Sequence, residues 1–476
     1  MLDQLLSESK EDRLRKLLEG LRKAANALED ASAPVLVVTH YDADGLCAAA
    51  ALTIALEKLS LPYQLRVEEQ LTLETVKAVL AGDYGTVIFL DMGSGLIGAL
   101  KPSSGTEVLV IDHHLPQGIA RDGVLEVNPH RYGVDGSSEA SASTLAFLVL
   151  TSICERADTY VHLALIGALG DRQDRGPRFA LTGLNGALAR LARRRGLVEE
   201  VIGLRLYGVH TRPLVRALAL TMDPILPGLT GNEEACLSFL KTIGVKPAEG
   251  ERLRRYSDLS LEERRTLATE LVKLLVNSGY SVYEAERIFG VMYYLSSEPS
   301  ESPLKDAREF SYVVNACGRL DRHDIGLLLL RGMRGEVLAK ALSKVRAYRK
   351  LLFKALKAAE KGESVVLNDD LIIVLDYGTE IPPKAAGAVA SILSSSLASG
   401  RSLLIVLAKL GEDKVKVSAR RGTGSDKVNV GEIMASAAAR VGGVGGGHAE
   451  AGGALIPSDR VNDFIEEVRK RVGAEG

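Results

Sequence analysis

The chain has 476 residues, 46% hydrophobic and 25% charged, so disorder is not indicated and there is length for about two to four domains with a sizeable core. Lys and Arg number 59 against 61 Asp and Glu; the net charge of -2 excludes a whole-protein basic signature, so any nucleic-acid site is a local patch. Cys47, Cys154, Cys236 and Cys317 are too scattered for a zinc ribbon or a disulfide framework, and no apolar run approaches the roughly 18 to 20 residues that span a bilayer. The expectation is a cytoplasmic protein with no membrane partner.

Leu14, Leu17, Leu18 and Leu21 recur at helical spacing within residues 10–30 and predict an amphipathic helix packed on the domain that follows. Three apolar runs come next, and each ends on acidic or histidine residues. Val35 to Thr39 precedes His40-Tyr41-Asp42-Ala43-Asp44-Gly45, Val87 to Leu90 precedes Asp91, and Val108 to Ile111 precedes Asp112-His113-His114. Continuous β-branched runs are the pattern of buried parallel strands, and the ligands of open α/β sheets gather beyond the strands' carboxyl ends. A fourth strand is predicted at Val124 to Val127, then helices over 139–154 and 160–168, the second stopping at Gly170-Asp171. Residues 1–196 therefore read as a parallel-sheet catalytic domain.

From 197 to 290 the composition becomes mixed helix with Arg-rich clusters such as Arg252 to Arg255, the pattern of a helical insertion with a solvated face. Residues 291–324 return to the first domain, with a strand over 290–295, and 325–362 read as a long connector helix. Residues 363–476 restart the α/β pattern as a smaller domain, with strands at 365–367, 371–375, 403–407 and 415–420, a helix over 385–397 and a glycine run from Gly442 to Ala454.

One Asp after a strand is most simply a turn former or helix cap. Three such ends in succession, two with doubled ligands, point to a shared site. Carboxylates mixed with imidazoles and no thiolate select Mn²⁺ or Mg²⁺ over structural zinc. Asp42 and Asp44, two residues apart, suit neighbouring ions, and Asp91 on the adjacent strand is placed to bridge them, which makes phosphate-ester hydrolysis the natural reaction class. Asp112 is either a ligand or a partner that orients a histidine. The glycine run admits an anion to the backbone or is merely a tight turn; it has no Walker ending, and His448 within it favours binding.

Asp42-Ala43-Asp44-Gly45, Asp91, Asp112-His113-His114 and Gly170-Asp171, followed by Gly446-Gly447-His448-Ala449-Glu450-Ala451-Gly452-Gly453, resemble the ordered motifs of the DHH phosphoesterase superfamily with its associated nucleic-acid-binding C-terminal domain. Asn315-Ala316-Cys317-Gly318-Arg319 and Ser418-Ala419-Arg420 are similar to elements of RecJ-type single-strand exonucleases. The inserted helices look like those of archaeal RecJ-like proteins, the GINS-associated nuclease among them.

The resemblance implies two divalent cations, Mn²⁺ ahead of Mg²⁺. One would be held by Asp42 and Asp91 with His40 as a further ligand, the other by Asp44, Asp91, His113 and Asp171. His114 would contact the scissile phosphate, with Asp112 in support. Arg319, Ser418 and Arg420 would bind a terminal phosphate, with Asn315 in the same element, and Gly446, Gly447 and His448 the nucleotide backbone. His40 departs from the acidic residue that bacterial RecJ has at that position. The implied function is a single-strand DNA exonuclease, with RNA as the other substrate, acting from a 5′ end in replication or repair, with the GINS complex as an implied partner. The alternatives are a catalytically idle replisome scaffold bound to the replicative helicase and a phosphoesterase of oligonucleotides or small nucleotides. An intact ligand set argues against the scaffold, because its empty carboxylates repel one another. The Asn315 to Arg319 element and the insertion favour the long substrate.

Overall fold

The apolar runs at Val35, Val87 and Val108 become adjacent strands because each is buried on both faces of one sheet, and the run at Val124 is the half-buried edge strand beside them. The computed structural model describes residues 1–398, 400–422 and 428–475 and divides into two units, Met1–Gly203 with Phe289–Val345, and Leu204–Ile288 with Arg346–Gly476.

The first unit opens with α1 (Leu2–Glu8) and α2 (Asp12–Glu29), the latter burying Leu14, Leu17, Leu18 and Leu21 as its spacing predicts. There follow β1 (Val35–His40), α3 (Ala43–Lys58), β2 (Tyr63–Glu68), α4 (Leu73–Leu80), β3 (Thr86–Leu90), β4 (Glu107–Ile111) and β5 (Val124–Val127). The sheet is wholly parallel in the order β2-β1-β3-β4-β5, with Thr39 beside Leu90 and Leu90 beside Ile111, so β1, β3 and β4 end at one level. One face packs Leu36, Val38, Val87, Phe89, Val108 and Val110 against Val76, Val79 and Leu80 of α4. The alternate residues Val35, Val37, Ile88, Leu109 and Ile111 are buried as well. Strand β2 carries no apolar run because it is an edge strand, with Gln64 and Arg66 exposed.

Helices α5 (Ala142–Ile153), α6 (Val161–Gly170) and α7 (Gly183–Arg194) continue the unit, and α3 packs against α5 and α6. Strand β6 (Val198–Leu204) comes next, a correction to the all-helical expectation for 197–290. Its sequence, Val-Glu-Glu-Val-Ile-Gly-Leu, lacks clean alternation and is held as a strand by a partner strand over Phe289–Leu295. The rest of the insertion lies in the second unit: α8 (Leu214–Leu220), α9 (Glu233–Thr242), the short pair β7 (Ala248–Glu249) and β8 (Arg252–Leu253), α10 (Leu261–Asn277) and α11 (Val282–Glu286). A capping box between Ser260 and Glu263 starts α10.

The chain re-enters the first unit with β9 (Phe289–Leu295), α12 (Ala307–Arg319) and α13 (His323–Leu330), and α14 (Glu336–Glu360) leads out of it. The single connector expected over 325–362 is thus two helices, parted where Gly332 and Gly335 take φ of 94° and 58°. The second unit resumes with β10 (Val365–Asn368), β11 (Ile372–Asp376), α15 (Pro383–Leu397), β12 (Leu403–Leu410), β13 (Lys414–Arg421), α16 (Val430–Arg440), β14 (Val444–Gly447), β15 (Ala451–Pro457) and α17 (Val461–Glu475). Its mixed sheet runs β10-β11-β12-β13-β15-β14 over a core that includes Ile405, Val417, Met434, Phe464 and Val468. The glycine run is therefore paired strand on both sides of a turn, Gly446 opposite Gly453, rather than loop.

Phe89 is fully buried two residues before Asp91. Phe89→Ala should lower stability by about 3–5 kcal/mol, read as a lower midpoint in urea unfolding; an unchanged midpoint would show that this core does not anchor the strand ends.

Candidate metal centre

Level strand ends bring the residues after β1, β3 and β4 to one sheet edge. Asp42 caps α3, its Oδ1 accepting from Gly45 N at 3.0 Å, which leaves Oδ2 3.0 Å from His40 Nδ1. Helix cap and ligand candidate are thus compatible roles of one side chain. Asp44, 1% exposed, accepts from Ala142 N at 2.8 Å and Ser143 N at 3.1 Å, so the start of α5 supplies donors to a buried carboxylate. Asp91 takes φ of 57°, a left-handed conformation that Asp tolerates, with its amide donating to Ile111 O at 3.0 Å. This turn brings its Oδ1 to 3.1 Å from His113 Nε2 and its Oδ2 to 3.5 Å from His40 Nδ1. Asp171 follows α6 as its C-cap, with Oδ2 3.7 Å from His113 Nε2.

His113 is 5% exposed and donates from Nδ1 to Gly136 O at 2.7 Å. Its Nε2 therefore faces oxygens of Asp91, Asp44 and Asp171, the last two at 3.7 Å. Three sets of potential ligand atoms each converge within 4.8 Å: His40, Asp42 and Asp91; Asp44, His113 and Asp171; and Asp91, His113 and His114. Asp91 is common to the first and third. An imidazole lone pair amid carboxylate oxygens is the chemistry of a hard or borderline divalent cation, and the donor set fits one.

His114 differs from its neighbour. It is 44% exposed, and its Nδ1 donates to Asp112 Oδ1 at 2.8 Å. Asp112 is buried with both oxygens engaged: Oδ2 accepts from Ser94 N at 2.9 Å, and Oδ1 from His113 N at 2.7 Å as well as from His114. It braces the two histidines and is absent from the convergent sets among the described residues.

Electrostatics follow burial. Desolvation, reinforced by Asp91, pushes Asp44 up to about 7 despite His113. Desolvation likewise raises Asp171. Burial opposes charge on His113, yet Asp171, Asp91 and Asp44 outweigh it and lift the imidazole well above its ordinary value. His114 is raised too, Asp112 overcoming the effect of burial. Asp42 and Asp112 are held below the usual carboxylate range although burial opposes this, the first chiefly by His40 and the second chiefly by His114.

Asn315, expected in a phosphate-binding element, accepts from Ala43 N at 3.0 Å through Oδ1 and so steadies the loop that carries Asp42 and Asp44. A Cβ at Gly318 would overlap the Tyr41 carbonyl, so this element works by close approach to the same loop. Arg319 ends α12 and helps to lower Asp42. In the second unit, Ser418 and Arg420 lie on one face of β13; Arg420 donates to Ser391 Oγ at 2.8 Å and Gly387 O at 3.1 Å, which ties it to α15. Gly446 and Gly447 close β14, and His448 turns the chain with N donating to Ala451 O at 2.8 Å. Its carbonyl accepts from Gly431 N at 3.0 Å, at the start of α16. Gln173, buried beside Asp171 and His113, and Asn185, buried behind it, had no signal in the sequence beyond the nearness of Gln173 to Asp171.

A parallel sheet whose strand ends gather these residues defines a DHH-type protein, and family models agree: the DHH family N-terminal domain matches residues 34–169, the DHH-CID domain 206–289 and the DHHA1 domain 369–474. The chain belongs to the DHH superfamily and has a RecJ-like fold. It is similar to RecJ from Thermus thermophilus in complex with Mn²⁺, with 21% identity, a TM-score of 0.57 and coverage of 96% of this chain and 55% of that one, so it spans about half of that protein's length. CDC45 from Entamoeba histolytica is similar at 14% identity and a TM-score of 0.63, covering 97% and 98%. An uncharacterized protein of Methanocaldococcus jannaschii is 27% identical over 451 residues, 93% of this chain and 94% of the relative. No helix among the described residues is long and apolar enough to cross a membrane.

The raised groups fix the sign of a pH dependence. With Asp44 at about 7 when folded, against about 3.9 unfolded, the cation-free folded state binds more protons, so stability falls as pH rises across that interval. His113, also raised, adds loss of the same sign as pH climbs through its folded value. Asp42 and Asp112 lose their contribution only at acid pH, below the unfolded value. In chelator the melting temperature should therefore fall between about pH 5 and pH 8, and added Mn²⁺ should flatten the slope by favouring carboxylate and neutral imidazole. A melting temperature that rises with pH in chelator would contradict this.

Proposed function

We propose that the protein is a metal-dependent exonuclease that hydrolyses phosphodiester bonds of single-stranded DNA, with RNA as a second substrate, from the 5′ end, in DNA replication or repair. The observation that carries this is the convergence of His40, Asp42, Asp44, Asp91, His113 and Asp171 at one sheet edge. His40, Asp42 and Asp91 would hold one divalent cation and Asp44, Asp91, His113 and Asp171 a second, with Asp91 shared. The imidazoles favour Mn²⁺ over Mg²⁺; RecJ of Thermus thermophilus has been solved with each. Such a pair supplies an activated water and neutralises charge at phosphorus.

The chain's own groups do the rest. Asp112 keeps His114 oriented and favours its cationic form, so the exposed imidazole is suited to donate to an oxygen of the scissile phosphate and stabilise the charge that develops there. Arg319 is assigned to a terminal phosphate, which a guanidinium can bind bidentately, and Ser418 with Arg420 to the same class of ligand. Gly446, Gly447 and His448 are assigned to the nucleotide backbone. A GINS-type helicase factor as partner, and a cytoplasmic setting, rest on the resemblance.

Asp44→Ala and His113→Ala should abolish hydrolysis of end-labelled strands with the fold retained, chelation should do so reversibly, and His114→Ala should lower kcat by about 10²- to 10³-fold. Undiminished hydrolysis by Asp44→Ala in Mn²⁺ would rule out the assignment. Arg319→Ala should reduce any preference for a 5′-phosphorylated over a 5′-hydroxyl strand by on the order of 10- to 100-fold; degradation only from 3′ ends would overturn the polarity.

A further inference from the structure

Behind the metal-type ligands lies a hydrogen-bonded chain that the proposed chemistry does not use. Ser141 N donates to Asn185 Oδ1 at 3.3 Å, which fixes the orientation of that amide because a backbone N–H can only donate. Asn185 Nδ2 then donates to Gln173 Oε1 at 2.7 Å. This fixes the second amide in turn, and Gln173 Nε2 spends its two hydrogens on Gly136 O and Asp171 Oδ2, each at 2.9 Å. Gly136 O is also the acceptor for His113 Nδ1. Ser141, Gln173 and Asn185 are at most 1% exposed, so water does not compete. The same segment serves the other ligand: Ala142 N and Ser143 N donate to Asp44, directly after Ser141.

We infer that Gln173 and Asn185 are positioning residues for the ion assigned to Asp44, Asp91, His113 and Asp171, acting through the Gly136 carbonyl and the Asp171 carboxylate. This rests on the metal assignment above. The orientation imposed on Gln173 has two consequences. A donor on Gly136 O holds that carbonyl where it accepts from His113, which keeps the proton on Nδ1 and the lone pair of Nε2 toward the carboxylates. A donor on Asp171 Oδ2 ties down a side chain that is about a third exposed and so only partly held by packing. Groups that orient ligands in this way typically change metal affinity about 10- to 100-fold when lost. They touch neither substrate nor reacting atoms.

The test is Mn²⁺ titration of the full chain by calorimetry and electron paramagnetic resonance, with Gln173→Leu, which keeps the bulk and removes the amide, and Gln173→Glu, which keeps the acceptor for Asn185 but offers no donor at neutral pH. Both should weaken one of two Mn²⁺ equivalents about 10- to 100-fold and leave the other within threefold, and hydrolysis should recover toward wild-type kcat at saturating Mn²⁺. Asn185→Leu should act in the same direction, less than additively with Gln173→Leu. Two equivalents bound with wild-type affinity in either Gln173 variant would overturn the proposal, as would equal weakening of both. If Gln173→Leu fails to fold, Gln173→Glu decides. Wild-type protein that binds no Mn²⁺ would instead refute the underlying metal site, and loss of one equivalent in Asp44→Ala with Gln173→Leu unchanged would refute the positioning role alone.

Discussion

The structure turns on one electrostatic constraint: four carboxylates, those of buried Asp44 and Asp91 and partly exposed Asp42 and Asp171, face one another at the strand ends. Like charges at such separations interact strongly in a medium of low effective dielectric, and the fold answers by giving oxygens of Asp42 and Asp44 backbone donors. The start of α3 supplies Gly45 N to Asp42, and the start of α5 supplies Ala142 N and Ser143 N to Asp44. These donors do not remove the crowding where oxygens of Asp44, Asp91 and Asp171 converge on His113 Nε2. A proton or a cation has to stand there. Without a cation, proton binding at Asp44 and His113 is favoured beyond its ordinary range, and the upward shift of both expresses the same constraint.

Close packing of helices holds this arrangement. A Cβ at Gly167 of α6 would overlap Ser143 Oγ and Asp44, one at Gly170 would press on Ala43, and one at Gly318 of α12 on the Tyr41 carbonyl. Small residues at these points let α6 and α12 approach α3 closely, and Asn315 then reaches Ala43 N. The ligand loops thus sit on packed helices and strand ends, which keeps their geometry firm enough to bear mutual repulsion.

How much of this was legible follows from the same physics. Strands β1, β3 and β4 announced themselves because burial on both faces demands unbroken apolar runs, and the ligands after them because parallel strands end together; β5, a half-buried edge strand, showed only Val124, Leu125 and Val127 around Glu126. Edge strand β2 and the partner strand β6 carry Arg, Gln and Glu and gave no such pattern. Glycine hid β14 and β15, since a residue without a side chain shows no periodicity. Asn315 was found through the resemblance, but its bond to Ala43 N is a tertiary fact that no spacing encodes. Gln173 and Asn185 are neutral amides in ordinary helix and loop contexts, and only the folded chain shows that they orient one another.

Adjacent histidines illustrate how partner chemistry separates roles that identical side chains leave open. His113 and His114 both donate from Nδ1, so both direct Nε2 away from their support. Behind His113 stands a carbonyl, which carries no net charge and does not by itself favour imidazolium; in front stand carboxylates, among which a metal cation would leave the ring neutral and its lone pair usable. Behind His114 stands Asp112, an anion held ionised by backbone donors and by the imidazole itself, and in front the ring is partly open to solvent. There Asp112 shifts the balance toward the protonated form, in which Nε2–H is a donor. On the proposed function, that contrast makes one ring a ligand and the next a phosphate contact, and it derives the division from what each Nδ1 meets.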